Sequence, residues 1–81
     1  MKLAHRTYQV LVQADRRIGT NERAYTAYVP VLGIATDGDS FEQALANARE
    51  AAEVYVASFV DDGLEVPTDG GSFVAAASIS L

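Results

Sequence analysis

Residues 40–63 constrain this chain more than any other stretch, because they read as one long helix with a marked start and stop. Ser40 has the character of an N-cap, and Gln43, three residues on, is its capping-box partner. Asp39 and Glu42 place negative charge at the positive end of the helix dipole. Phe41, Leu45, Ala48, Ala52, Tyr55 and Phe59 recur at steps of three and four, so they share one stripe. Gly63 suits the left-handed position after a helix, and Pro67 lies beyond it. At 1.5 Å per residue, 41–61 makes a rod roughly 30 Å long, enough to span a small domain. The remaining residues must pack against its stripe.

Those remaining residues read as strands. Residues 7–13 are rich in Thr, Tyr and Val; Tyr8, Val10 and Val12 point one way and Gln9, Leu11 and Gln13 the other. A polar connection over 15–22 carries Gly19 and Asn21 as turn formers. A second strand over 24–29 then forms an antiparallel hairpin with the first and ends at Pro30, which lacks an N–H. Leu32-Gly33 turns the chain into a short third strand over 33–36. Asp37-Gly38-Asp39 is a turn leading to the helix cap. After the helix, a loop over 64–71 leads to a last strand over 72–81, in which Phe73, Ala75, Ala77 and Ile79 alternate with Val74, Ala76, Ser78 and Ser80. The order β-β-β-α-β defines an α+β fold, one sheet with a single long helix on one face, in one domain over 1–81. A right-handed crossover is expected to bring the last strand parallel to the first. The other sheet face, with Leu11, Tyr28, Val74 and Ala76, is apolar enough to want a cover.

Composition narrows the function. The chain is 49% hydrophobic, but much of that is alanine and there is no Trp, so burial per residue is small and homo-oligomerisation is expected. Having no cysteine excludes disulfides, zinc thiolates and thiol chemistry. No apolar run approaches a membrane span, and the first residues lack a signal-peptide core, so a cytoplasmic protein is expected. The net charge of −5 argues against nucleic-acid binding. That charge is uneven. Residues 1–23 hold five cations against two carboxylates, whereas 24–81 hold Arg49 against nine carboxylates.

Nothing marks a catalytic centre. His5 is the sole histidine and has no recognisable nucleophile beside it. Asp37, Asp39 and Glu42 are each explained by turn or helix-start chemistry, and acids clustered in sequence do not thereby converge on a metal. Gly70-Gly71 has neither a lysine nor a following helix and makes no phosphate loop. Tyr25, Tyr28 and Tyr55 lack the basic surround of a base-stacking platform. No cofactor is expected. The helix itself offers a partner surface. Glu42, Glu50 and Glu53 lie away from the core stripe within about 80° of one another. Arg49 is placed to pair with Glu53, and Val54 and Ala57 supply apolar contact between the acids. The alternative surface is the uncovered sheet face at Tyr28 and Leu11.

Residues 24–67 resemble the HicB antitoxin family. Tyr25, Ala27, Pro30, Leu32, Gly33, Gly38, Asp39, Ser40, Ala44, Ala48, Tyr55, Gly63 and Pro67 stand at the places of that family's motif. The resemblance implies a partial RNase H-like domain and a role in a toxin–antitoxin system. The implied partner is a small basic ribonuclease, the HicA-like toxin, whose active site the antitoxin blocks. Two local departures are the shortened Pro30-Val31-Leu32-Gly33 segment and Ile34 in place of a common cysteine. Full-length members add a C-terminal DNA-binding domain. That part is missing after Leu81, so DNA binding is not expected of this chain alone. Two other readings remain beside this one: a degenerate metal-dependent nuclease using acids near Asp37 and Asp39, and a self-assembling domain without a toxin.

Overall fold

The computed structural model describes residues 6–16, 19, 22–69 and 77–81. Its elements run β1 (Thr7–Arg16), β2 (Arg23–Val29), β3 (Ile34–Gly38), α1 (Phe41–Asp61) and β4 (Ala77–Ser80). The four strands form one sheet in the order β3-β2-β1-β4, and every neighbouring pair is antiparallel. The helix packs most closely on β3 and leaves the opposite face of the sheet bare among the described residues.

Strand β1 runs three residues further than its composition suggests. Asp15 pairs with Ala24 and Arg16 with Arg23, so the hairpin ladder continues into the polar stretch. Main-chain groups carry such a ladder, and it needs no apolar side chains to continue. The turn after β2 closes with Gly33 donating to Val29 O at 2.9 Å, and Gly33 takes φ +68°, the left-handed conformation that favours glycine.

The helix begins and ends on the residues that mark it. Ser40 Oγ accepts from Gln43 N at 3.0 Å, while the Gln43 side chain reaches back to the Asp39 amide, one residue beyond the usual capping-box partner. At the other end Leu64 N donates to Phe59 O and Gly63 N to Val60 O, with Gly63 at φ +69°. That pair of bonds is a Schellman stop.

Two expectations are corrected. First, β4 runs antiparallel to β1, with Tyr8 opposite Ile79 and Val10 opposite Ala77. A parallel return would need the chain to enter β4 directly from the far end of the helix. Fifteen residues separate Asp61 from Ala77. Extended, they could reach up to roughly 50 Å, so the connection is long enough not to force the direct entry that a parallel strand requires. Pro67 and Asp69 already lie against β1: Tyr8 Oη donates to Pro67 O at 2.7 Å and Gln9 N to Asp69 Oδ2 at 2.7 Å. The earlier part of the expected last strand, with Phe73, Val74, Ala75 and Ala76, lies outside the described residues, as do His5 and Gly70-Gly71.

Second, the buried ridge of the helix is Ala44, Ala48, Ala52 and Val56, a run of i to i+4 steps. Phe41 and Tyr55, placed in the stripe by spacing, are 37% and 38% exposed. Phe41 is the first residue of the helix, at its very end; for Tyr55 the reason is length. A five-residue strand such as β3 covers about 17 Å, whereas the helix runs about 30 Å, so its later turns outreach the nearest strand. Tyr55 packs instead on Phe59, ring centroids 4.9 Å apart. The three alanines let the helix backbone approach a sheet floor of Tyr8, Val10, Ala27, Val29 and Ile79, with Leu32 closing one end.

Candidate partner-binding surface

The helix is tied to both edge strands by polar side chains. On one side Thr36 Oγ1 donates to Ala44 O at 3.1 Å and Asn47 Nδ2 to Asp37 O at 2.9 Å. On the other side Arg49 Nε donates to Ser80 O at 3.1 Å, and its Nη1 lies 2.6 Å from Glu53 Oε1. The expected Arg49–Glu53 pair is therefore present. Both side chains are about half exposed, so the pair itself adds at most a few tenths of a kcal/mol. Its role is to neutralise Arg49, which leaves the helix face acidic.

Glu42, Glu50 and Glu53 are all exposed. Among the described residues neither Glu42 nor Glu50 makes an ion pair, so their charge faces solvent. Val54 is 68% exposed and Ala57 is exposed beside them. The structure thus brings five of the expected partner residues onto one helix. It places the other two elsewhere: Leu11 and Tyr28 are cross-strand partners on the bare sheet face, 39% and 41% exposed. These are two surfaces separated by the thickness of the sheet and helix.

Composition-based reading missed a third feature. An open groove of about 360 Å³ runs between the helix and β4, lined by Glu42, Leu45, Ala46 and Arg49 on one side and Ser78, Ile79 and Ser80 on the other. Its lining is mostly apolar. Leu45 gave a partial signal, since it sits at the margin of the apolar stripe, but the groove exists only because β4 occupies the sheet edge farthest from β3.

The acids around Asp37 and Asp39 do not assemble a metal centre: among the described residues, no three histidine or carboxylate groups are placed to hold an ion. Tyr25 packs against the core and Tyr55 against Phe59. No helix among the described residues is long and apolar enough to cross a membrane.

The described residues thus make an antiparallel sheet covered on one face by an acidic helix that carries exposed apolar side chains. Comparison with known proteins supplies the family. A family model described as the HicB-like antitoxin of bacterial toxin–antitoxin systems matches residues 8–77. A UPF0150 protein of Helicobacter pylori is 36% identical over 65 residues, covering 79% of this chain and 90% of the relative. A UPF0150 protein of Synechocystis is 39% identical over 63 residues, covering 76% and 73%. No solved structure matches the chain at the same stringency. The chain belongs to the HicB-like antitoxin family, which supports an antitoxin role.

Proposed function

We propose that this chain binds and inhibits a small basic ribonuclease of the HicA type, holding it in the cytoplasm against the acidic face of the helix. The observation that carries this reading is the cluster of exposed Glu42, Glu50 and Glu53 with Val54 and Ala57 among them. Acids on a rigid helix steer a cationic partner and raise its association rate, while the apolar residues supply dry contact that slows dissociation. Blocking the toxin needs no chemistry from this chain, so purified protein with magnesium or manganese leaves RNA intact. Residues 24–81 would repel phosphate, so duplex DNA is not bound by this chain alone.

The test is to express the chain with the product of its neighbouring reading frame and measure binding kinetics at two salt concentrations. Converting Glu42, Glu50 and Glu53 to Gln is expected to slow association and flatten its salt dependence, with the fold retained by circular dichroism. An unchanged association rate moves the contact away from this face.

A further inference from the structure

We propose that the outer edge of β4 receives an extended segment of a basic partner as an added strand, with arginine or lysine stems laid along the groove beside the helix. This deepens the reading of the chain as a toxin-binding module and rests on it.

The register fixes which main-chain groups are available. Arg6 and Leu81 exchange both of their hydrogen bonds, Leu81 N to Arg6 O at 2.8 Å and Arg6 N to Leu81 O at 3.4 Å. In an antiparallel ladder bonded and non-bonded pairs alternate, so Tyr8–Ile79 is a bonded pair while Thr7–Ser80 and Gln9–Ser78 are not. Ser78 and Ser80 therefore turn their N–H and C=O groups away from β1, toward the open edge. Arg49 confirms the geometry, because its Nε reaches Ser80 O from that side. One outward carbonyl is thus taken by the helix. Ser78 N–H, Ser78 C=O and Ser80 N–H have no partner among the described residues, and a strand edge with unmet donors and acceptors is a template for another strand.

The groove selects the chemistry of that strand. Residues of an added strand that lie level with Ile79 point to the helix side, into the gap floored by Leu45 and Ala46. Glu42 stands at its rim and is exposed, while Arg49 is already neutralised by Glu53. An apolar trough with a carboxylate at its lip suits a long cationic side chain, whose methylenes cover Leu45 and Ala46 and whose head meets Glu42. A second copy of this chain suits it poorly, because two-fold pairing through β4 would bring two net-negative helices together.

The probe is a blocked eight-residue peptide of alternating arginine and valine, titrated into nitrogen-15-labelled protein. Its control is the same peptide N-methylated at every residue, which keeps the charge and removes every main-chain donor. The expected result is saturable shifts at Ser78, Ser80, Leu45 and Arg49. Affinity is expected to fall by about tenfold or more with the methylated peptide, the effect of losing a single net main-chain hydrogen bond. Ser78→Pro removes an outward N–H without touching a bond to β1, and is expected to weaken the unmodified peptide similarly; Glu42→Gln weakens both peptides. Equal binding of the two peptides to the unchanged protein overturns the proposal even if Ser78→Pro fails to fold. Shifts confined to the Glu50 and Glu53 side overturn it as well. Concentration-dependent shifts of β4 without peptide also overturn it, since they assign the edge to a second copy. If the peptide arm fails while the Glu→Gln variant still slows the toxin, the inference falls and the inhibitory reading stands; the reverse outcome removes that reading instead.

Discussion

Gly38 ends β3 with its α-carbon against the first turn of the helix: a β-carbon built on it would sit 2.5 Å from the amide nitrogen of Ala44 and 2.9 Å from the carbonyl carbon of Gln43. Two hydrogen bonds oppose a retreat of the helix, Thr36 Oγ1 to Ala44 O and Asn47 Nδ2 to Asp37 O, both beside that contact. Gly38→Ala is therefore expected to destabilise the fold by about 1–3 kcal/mol through overpacking of backbone on backbone. Gly33→Ala, where φ is +68° and no atom lies within 4 Å, is expected to cost only about 1 kcal/mol from strain. Urea midpoints measure both, and an unshifted midpoint for Gly38→Ala would overturn the close approach.

The buried alanine ridge makes a similar demand at a side chain. Ala48 is fully buried between helix and sheet, so Ala48→Phe is expected to cost about 1–3 kcal/mol or more as the helix is lifted. Glu50→Gln, on the exposed side of the same turn, is expected to change stability by less than about 0.5 kcal/mol. Equal melting temperatures for the two variants would contradict the helix register.

The start and stop of the helix were legible in the sequence because capping is local chemistry: Ser40, Gln43 and Gly63 act on groups within a few residues of themselves. The order of elements was legible for the same reason. What the sequence concealed depends on distant placement. The direction of β4 is seen only in its register with β1, a strand about seventy residues away in sequence, which no local pattern encodes. The exposure of Tyr55 follows from how far a short strand reaches beneath a long helix, which the period of the stripe does not encode. Gly38 looked like a turn residue, and its role at a close backbone contact requires knowing what lies across from it. The acidic residues of the candidate surface were readable from helical spacing, whereas the groove beside Leu45 required the position of the edge strand.

Tyr8 gives a pH dependence with a definite sign. Burial raises the pKa of its hydroxyl; nearby Arg6 partly offsets this and Asp69 adds to it. The folded protein therefore favours the neutral form. Below the ordinary tyrosine value of about 10 both states keep the proton and stability is unaffected. Above it the unfolded chain ionises first, so stability falls as pH rises toward the higher folded value. Tyr8→Phe is expected to cost about 1 kcal/mol at neutral pH, since Pro67 O loses its donor, and to flatten the alkaline decline. Melting temperatures from about pH 8 to pH 11 measure this, and parallel curves for the two proteins would remove Tyr8 as the cause.

We expect the bare sheet face to pair with a second copy of itself. Leu11 lies opposite Tyr28, and Tyr28 opposite Ala35, so three strands contribute one exposed apolar row. Its neighbours Gln9, Gln13 and Thr26 are uncharged and Asp37, opposite Thr26, stands at its margin, so two copies meet there over fewer acids than the helix side carries. Light scattering at micromolar concentration is expected to give a dimer, and Leu11→Lys with Tyr28→Lys a folded monomer. A stable monomer of the unchanged protein would sink this expectation.

Asp61 and Asp62 close the helix where negative charge is least welcome. The C-terminal end of a helix carries partial negative charge, and here both acids are exposed with no basic residue in the last turn to offset them. Replacing both with Asn is expected to raise stability by about 0.3–1 kcal/mol per charge at low salt, with the gain shrinking as salt screens the dipole. Acids that cost stability are retained at no loss if they serve the field that steers a basic partner. The same double variant is therefore expected to slow association with the toxin while slowing dissociation little. Melting temperatures at low and high salt and association rates on one protein separate the two effects. A higher melting temperature with an unchanged association rate would confine the steering charge to Glu42, Glu50 and Glu53; no change in either would show that these acids are screened from both the helix dipole and the partner.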